Sequence, residues 1–122
     1  MPLLYVLDEN VPAALRLAIH NHNAGSVNPL DVVSVGDPQD LPLGIDDPAL
    51  LLWAEREGRI LVTRDEHSIP CHLVAHLAAG HHSPGIFMIR RRSAIPQLVF
   101  ILVLVAYAGD PSHYKDRIEY IP

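Results

Sequence analysis

"GRILVTRDEH" (residues 58–67) is the stretch on which the fold turns. Arg59 to Thr63 form an apolar, β-branched run with no polar alternation, as expected of a strand covered on both faces. It stops in a crowd of charge: Arg64, Asp65, Glu66 and His67. An internal strand that ends in charge reads as one that delivers side chains to the edge of a sheet, where α/β proteins bind ligands.

Working outward, further strands are expected at "LLYVL" (3–7), "DVVSV" (31–35), "GIFMI" (85–89) and "RIEYI" (117–121). Helices are expected between them. "NVPAALRLAIHNHNAG" (10–25) has Asn10 as a cap, Pro12 in its first turn and apolar residues at helical spacing. "DPALLLWAEREG" (47–58) has Asp47 as its cap, Pro48 at its first position and Gly58 at its end. A third helix is expected from Ile69 to Ala79 and a fourth over "SAIPQLVFILVLVAYAG" (93–109), read as a buried helix. Strands alternating with helices predict an α/β protein with a mostly parallel sheet and helices on both faces, a three-layer α/β/α sandwich. Strand order is not legible. At 122 residues a single domain over 1–122 is expected, with no repeat or linker.

Composition narrows the classes. Hydrophobic residues make up 49% of the chain and charged residues 19%, so it should fold. The net charge of −5 argues against a module that holds nucleic acid on a broad basic face. It argues less against an enzyme whose acids gather around metal ions. One cysteine, Cys71, excludes an internal disulfide and fits a cytoplasmic protein. The first residues, "MPLLYVLDEN", lack the basic start of a signal peptide. The apolar run 98–108 is shorter than the roughly 20 residues of a membrane helix, so no membrane is expected.

Two expected strands end in acids: Asp8 and Glu9 after the first, Asp65 and Glu66 after the third. Asp46 and Asp47 reach the same edge if the loop 36–46 returns over it. Crowded carboxylates repel one another, and hard cations such as Mg²⁺ or Mn²⁺ relieve that repulsion. The bland reading is that Asp8 is a turn residue and Asp47 a helix cap.

"LDENVP", then "DDPALLLWAEREGRILVTRD", then "GIFMIR", in that order over residues 3 to about 90, resembles the short PIN-like proteins. The resemblance implies a PIN-like sandwich with an acidic, metal-dependent nuclease centre that cuts RNA using Mg²⁺ or Mn²⁺. It implies that Asp8, Asp47 and Asp65 are catalytic and hold the metal, and Glu9 belongs to the same motif; Glu9 or Glu66 is read as an assisting ligand. It also implies a toxin of a toxin–antitoxin pair, hence an antitoxin protein as partner. The pattern resembled continues T-R-D-x-D-F, whereas this chain has "TRDEHS", with His67 for the second Asp and Ser68 for the Phe. Three readings stay open: Glu66 substitutes as a ligand, His67 binds metal through nitrogen, or the chain is a degenerate module binding RNA or a protein.

"IRRRS" (89–93) offers Arg90, ahead of Arg91 and Arg92, for RNA phosphates. Arg64 is a second substrate-binding candidate, although pairing with its neighbouring acids is the favoured reading. His72 and His76, spaced i,i+4, could share a metal, but too few ligands accompany them for zinc. A receiver- or phosphatase-like domain, phosphorylated at the first Asp, would need a lysine at a later strand end, and the only lysine is Lys115. A homodimer is a further expectation for so apolar a chain.

Overall fold

Thr63 and the three residues before it are all buried, so the strand that opens the argument has no solvent side. In the computed structural model, which covers residues 1–122, this strand is β3 (Arg59–Thr63). The other elements are β1 (Leu4–Leu7), α1 (Ala13–Gly25), β2 (Val32–Ser34), α2 (Asp47–Glu57), α3 (Ile69–Ala78), β4 (Ile86–Ile89), α4 (Ile95–Ala108) and β5 (Ile118–Ile121). A short 3-10 turn, Pro111–His113, precedes β5.

The five strands form one sheet in the order β2-β1-β3-β4-β5. Every neighbouring pair is parallel. All strands therefore end at one edge, and the chain reverses its direction of travel across the sheet between β1 and β3. Ligands of open α/β sheets bind at such a switch point.

Side chains alternate across each strand. Tyr5, Leu7, Ile60, Val62, Phe87 and Ile89 share one core with Leu15 and Ile19 of α1 and Leu98, Leu102 and Ala106 of α4. Val6, Leu61, Ile86 and Met88 share the other with Leu50, Leu51, Trp53 and Ala54 of α2 and Ile69 and Leu73 of α3. The chain is thus an α/β/α sandwich. Tyr5 reaches across one core to donate its hydroxyl to the Leu102 carbonyl at 2.7 Å. Gly58 ends α2 in the left-handed region (φ 67°), and its N–H returns to Ala54 and Glu55.

Three local expectations are corrected. Asn10 does not cap α1, which starts at Ala13 behind Pro12 with no side-chain cap. Asn10 spends its amide oxygen on the Arg64 N–H at 2.9 Å instead. Asp47 does not cap α2. Asp46 does, accepting from Ala49 N at 2.8 Å. α4 is buried on one face only: Phe100, Leu104 and Tyr107 form an exposed apolar row at i, i+4, i+7.

Leu61 is fully buried at the centre of the sheet. Leu61→Ala should lower unfolding free energy by about 2–5 kcal/mol, the usual range for such a truncation, read from urea unfolding of both proteins at neutral pH.

Candidate active site

The parallel pairing of β1 and β3 places Leu7 opposite Val62. The ladder continues one step further, with Asp8 N–H donating to the Val62 carbonyl at 2.9 Å. Asp8 thereby lies beside Thr63, whose hydroxyl donates to Asp8 Oδ2 at 2.9 Å. The other Asp8 oxygen accepts the Glu9 N–H at 2.8 Å. Arg16 of α1 holds this corner from outside, through the carbonyls of Asp8 (2.9 Å) and Glu9 (3.1 Å).

Beyond Thr63 the chain turns sharply. The Thr63 hydroxyl oxygen accepts the Asp65 N–H at 3.1 Å. Asp65 Oδ1 accepts the N–H groups of His67 (3.1 Å) and Ser68 (3.0 Å), a local turn that leads into α3. Its other oxygen, Oδ2, meets the Ser68 hydroxyl. The same hydroxyl lies 3.0 Å from Asp47 Oδ2, on the first turn of α2. His72 Nε2 faces that Asp47 oxygen at 3.7 Å.

Asp8, Asp47 and Asp65 are therefore brought together, linked through Thr63 and Ser68. The adjoining N-termini of α2 and α3 favour negative charge there. The three acids make a linked row, and no group of three or more carboxylate, histidine or cysteine side chains forms a ready-made ligand shell.

Their environments differ. Asp8 is buried at 8% exposure. Burial pushes its carboxyl above the ordinary value, against the Thr63 hydroxyl and the Glu9 N–H, and the charges of Asp47 and Glu9 add to the rise. The Ser68 hydroxyl and N–H hold Asp65 below the ordinary range, with the His67 N–H assisting. Two carboxylates with affinities pushed apart in one site are the arrangement that acid–base chemistry uses.

The remaining expected residues stand further out. Glu9 is exposed and turns to the loop 36–46, accepting the Gly44 N–H at 2.9 Å, so that loop does return over this edge. The Glu66 and His67 side chains are exposed and make no hydrogen bond or ion pair. Arg64 pairs with no carboxylate, contrary to the favoured expectation. Arg90 lies 5.0 Å over the Tyr120 ring, a cation–π contact at the same sheet edge. The i,i+4 histidines part company: His76 turns to Glu55 (3.2 Å) and the His82 carbonyl (2.9 Å), away from His72. Both still line a cavity of about 230 Å³ between α2 and α3, together with Pro48, Leu52 and His81. A larger one, about 670 Å³ against Trp53 and Arg56 of α2, lies away from the three acids.

Thr63, Asn10 and Arg16 are site residues that sequence reading missed, and Ser68 stood out there only as a departure from the resembled pattern.

The fold and site define an all-parallel α/β sandwich with an acidic cluster at its topological switch point. Set against known protein families, characterised proteins and solved structures, the chain matches none.

The raised Asp8 affinity makes a pH prediction. The native state keeps this proton to a higher pH than the unfolded chain, whose Asp releases it near the ordinary 3.8. Stability drawn from Asp8 is thus present at low pH and is lost as pH rises through the native value. Asp8→Asn, without metal, should melt above wild type at pH 7, and the gap should close as pH falls toward 4. Melting curves from pH 4 to 7 in EDTA check this. A variant that melts below wild type at pH 7 contradicts it.

Proposed function

We propose that the chain is a PIN-like, metal-dependent ribonuclease that hydrolyses RNA phosphodiesters, with Asp8, Asp47 and Asp65 as its catalytic acids. The observation that carries this reading is the convergence of those three side chains. They come from three separate segments and meet where doubly wound folds place their ligands. The oxygen donors fit a hard divalent cation, Mg²⁺ or Mn²⁺, better than a thiophilic one.

Asp8, Asp47 and Asp65 would hold the ion. Glu9 is tied to Gly44, and Glu66 stands outside the cluster, available from solvent. A divalent ion supplies Lewis-acid activation of water and of the phosphodiester. The protein's own groups do the rest. Asp65, held ionised by Ser68, keeps its negative charge at the site. The unpaired guanidinium of Arg64, and Arg90 on Tyr120, offer charge for RNA phosphates on the same edge.

The resemblance to PIN-like proteins supports RNA as substrate, a toxin role and an antitoxin partner. The receiver-like alternative fares worse. Its strand order is available, but Lys115 precedes β5 and so lies at the opposite edge of the sheet. The degenerate-module reading has one observation in its favour: His67, where the family pattern has an acid, points to solvent outside the cluster.

Cleavage of single-stranded RNA in Mn²⁺, compared between wild type and Asp8→Asn, tests the proposal. Wild type should cleave, EDTA should abolish cleavage, and Asp8→Asn should fall to the no-protein background. Equal cleavage by both proteins assigns the activity elsewhere. Mn²⁺ should also stabilise the fold, by about 2.7 kcal/mol at a hundredfold excess over its dissociation constant. No shift in melting temperature favours the degenerate module.

A further inference from the structure

α2 and α3 cover the same face of the sheet. The residues between them fall at helical spacing: Pro48 and Leu52 on α2, and His72, Ala75, His76 and Ala79 on α3. Two of these are alanines, too short to fill the gap. A cleft of about 230 Å³ remains, completed by His81 of the loop after α3. Leu52 is left 44% exposed. Pockets for drug-sized ligands start near about 300 Å³, so this one suits a single ring system. One end of the cleft lies at the acidic row, because Pro48 follows Asp47 and His72 Nε2 faces Asp47 Oδ2 at 3.7 Å.

The polar lining is three imidazoles. The His76 side chain is only 4% exposed. Its Nε2 lies 2.9 Å from the His82 carbonyl and 3.2 Å from Glu55 Oε1. Both oxygens accept, so Nε2 carries a proton. Nδ1 of the same ring has no partner. Trp53 Nε1 is the one side-chain polar atom both walled in and unpartnered. His76 Nδ1 is therefore open, on a ring that lines the cleft. His81 stacks on His76, with ring centroids 4.9 Å and planes 25° apart. No carboxylate, lysine or arginine lines the cleft. Asp47 near one end and Glu55 near the other disfavour an anion. Apolar walls, imidazole rings and one open ring nitrogen suit a flat, uncharged heterocycle with polar atoms at its edge.

We infer that the cleft between α2 and α3 is a nucleobase-binding site, in which a base lies against the imidazoles and Leu52 and meets His76 Nδ1 with its edge. Bases splayed out of single strands are commonly held on histidine and other aromatic rings. The inference rests on the ribonuclease reading for the source of the base, an RNA strand whose adjoining sugar–phosphate leaves by the Asp47 end. The chemistry of the cleft would serve a free nucleoside equally.

The test follows the histidine ring resonances by NMR in EDTA. Adenosine, guanosine, cytidine and uridine are added singly to wild type, Ala75→Leu, Ala79→Leu and Ala78→Leu. Leucine is nearly as good a helix former as alanine. At 75 or 79 it fills the cleft, and at 78 it stands exposed outside it. His72, His76 and His81 should shift with at least one nucleoside while His20, His22 and His113 stay still. Ala75→Leu and Ala79→Leu should weaken that binding about 5- to 150-fold, the value of one stacked base, and Ala78→Leu should match wild type. No shift at the three histidines with any nucleoside overturns the inference, as does binding that both cleft-filling variants retain. RNA cleavage in Mn²⁺ is read on the same proteins, and the nucleoside that binds should slow it. Cleavage that this nucleoside leaves unchanged overturns the strand as the source of the base. Cleavage by wild type without nucleoside shifts leaves the nuclease standing and removes the cleft from it. Nucleoside binding by a wild type that leaves RNA intact overturns the nuclease and supports the cleft as a site for free nucleosides.

Discussion

One ladder contact underlies the whole site: the Asp8 N–H on the Val62 carbonyl. It extends the β1–β3 pairing one residue past the end of β1 and fixes where the first acid stands. Parallel register leaves little freedom here, because a slip by one residue would turn Asp8 toward a helix layer and bury an unpaired carboxylate. The apolar strand residues on the two faces hold that register. The sheet core is in this sense the frame of the acidic cluster. The Thr63 and Ser68 hydroxyls then do locally what the register cannot, tying acids of different elements into one row.

That row is maintained against its own electrostatics. Asp8 is buried and lies within the field of Asp47, and both effects raise its proton affinity. The compensations are specific: hydroxyl donors, the Glu9 N–H, and the N-termini of two helices. Natural folds tolerate such concentrations of like charge mainly where a ligand or a reaction makes use of them. The contrast with Glu55 is instructive. It is equally surrounded by ionisable groups, yet His76, His81 and the His82 N–H complement it, and its affinity for a proton is lowered. That polar cluster is satisfied within itself.

The fold was readable where burial and periodicity coincide. "RILVT" and "GIFMI" lack a polar face because helices cover both sides, and Pro48 and Gly58 bracket α2 as their backbone preferences require. What failed depended on choices that sequence leaves open. Asp46 and Asp47 are chemically alike, and only the chain path shows that Asp46 caps the helix and frees Asp47 for the site. Asn10 looked like a cap because its type suits one, whereas the turn after β3 captured it. The uninterrupted apolar run of α4 hid which third of the helix faces solvent. Ser68 was visible only as a departure from a pattern, because its partners lie on two elements whose packing no local signal reports. The strand ends placed Asp8 and Asp65 on one edge, and Asp47 with them if the loop before α2 returned over it, as it does. Their chemistry is a separate matter from their position.

The run "TRDEHS" has a consequence in charge. With His67 in solvent and Ser68 turned inward, a neutral hydroxyl lies in the row between two of its acids. Each carboxylate added to such a cluster strengthens its attraction for a divalent cation and also raises the repulsion the empty site must bear. A hydroxyl shifts that balance toward stability of the cation-free fold. It donates a proton to one acid, adds no charge, and holds Asp65 ionised. The imidazole of His67 works in the same direction, since its charge also lowers the proton affinity of Asp65. The serine therefore joins the cluster without adding to its charge: it lies between Asp47 and Asp65 and makes contact with both.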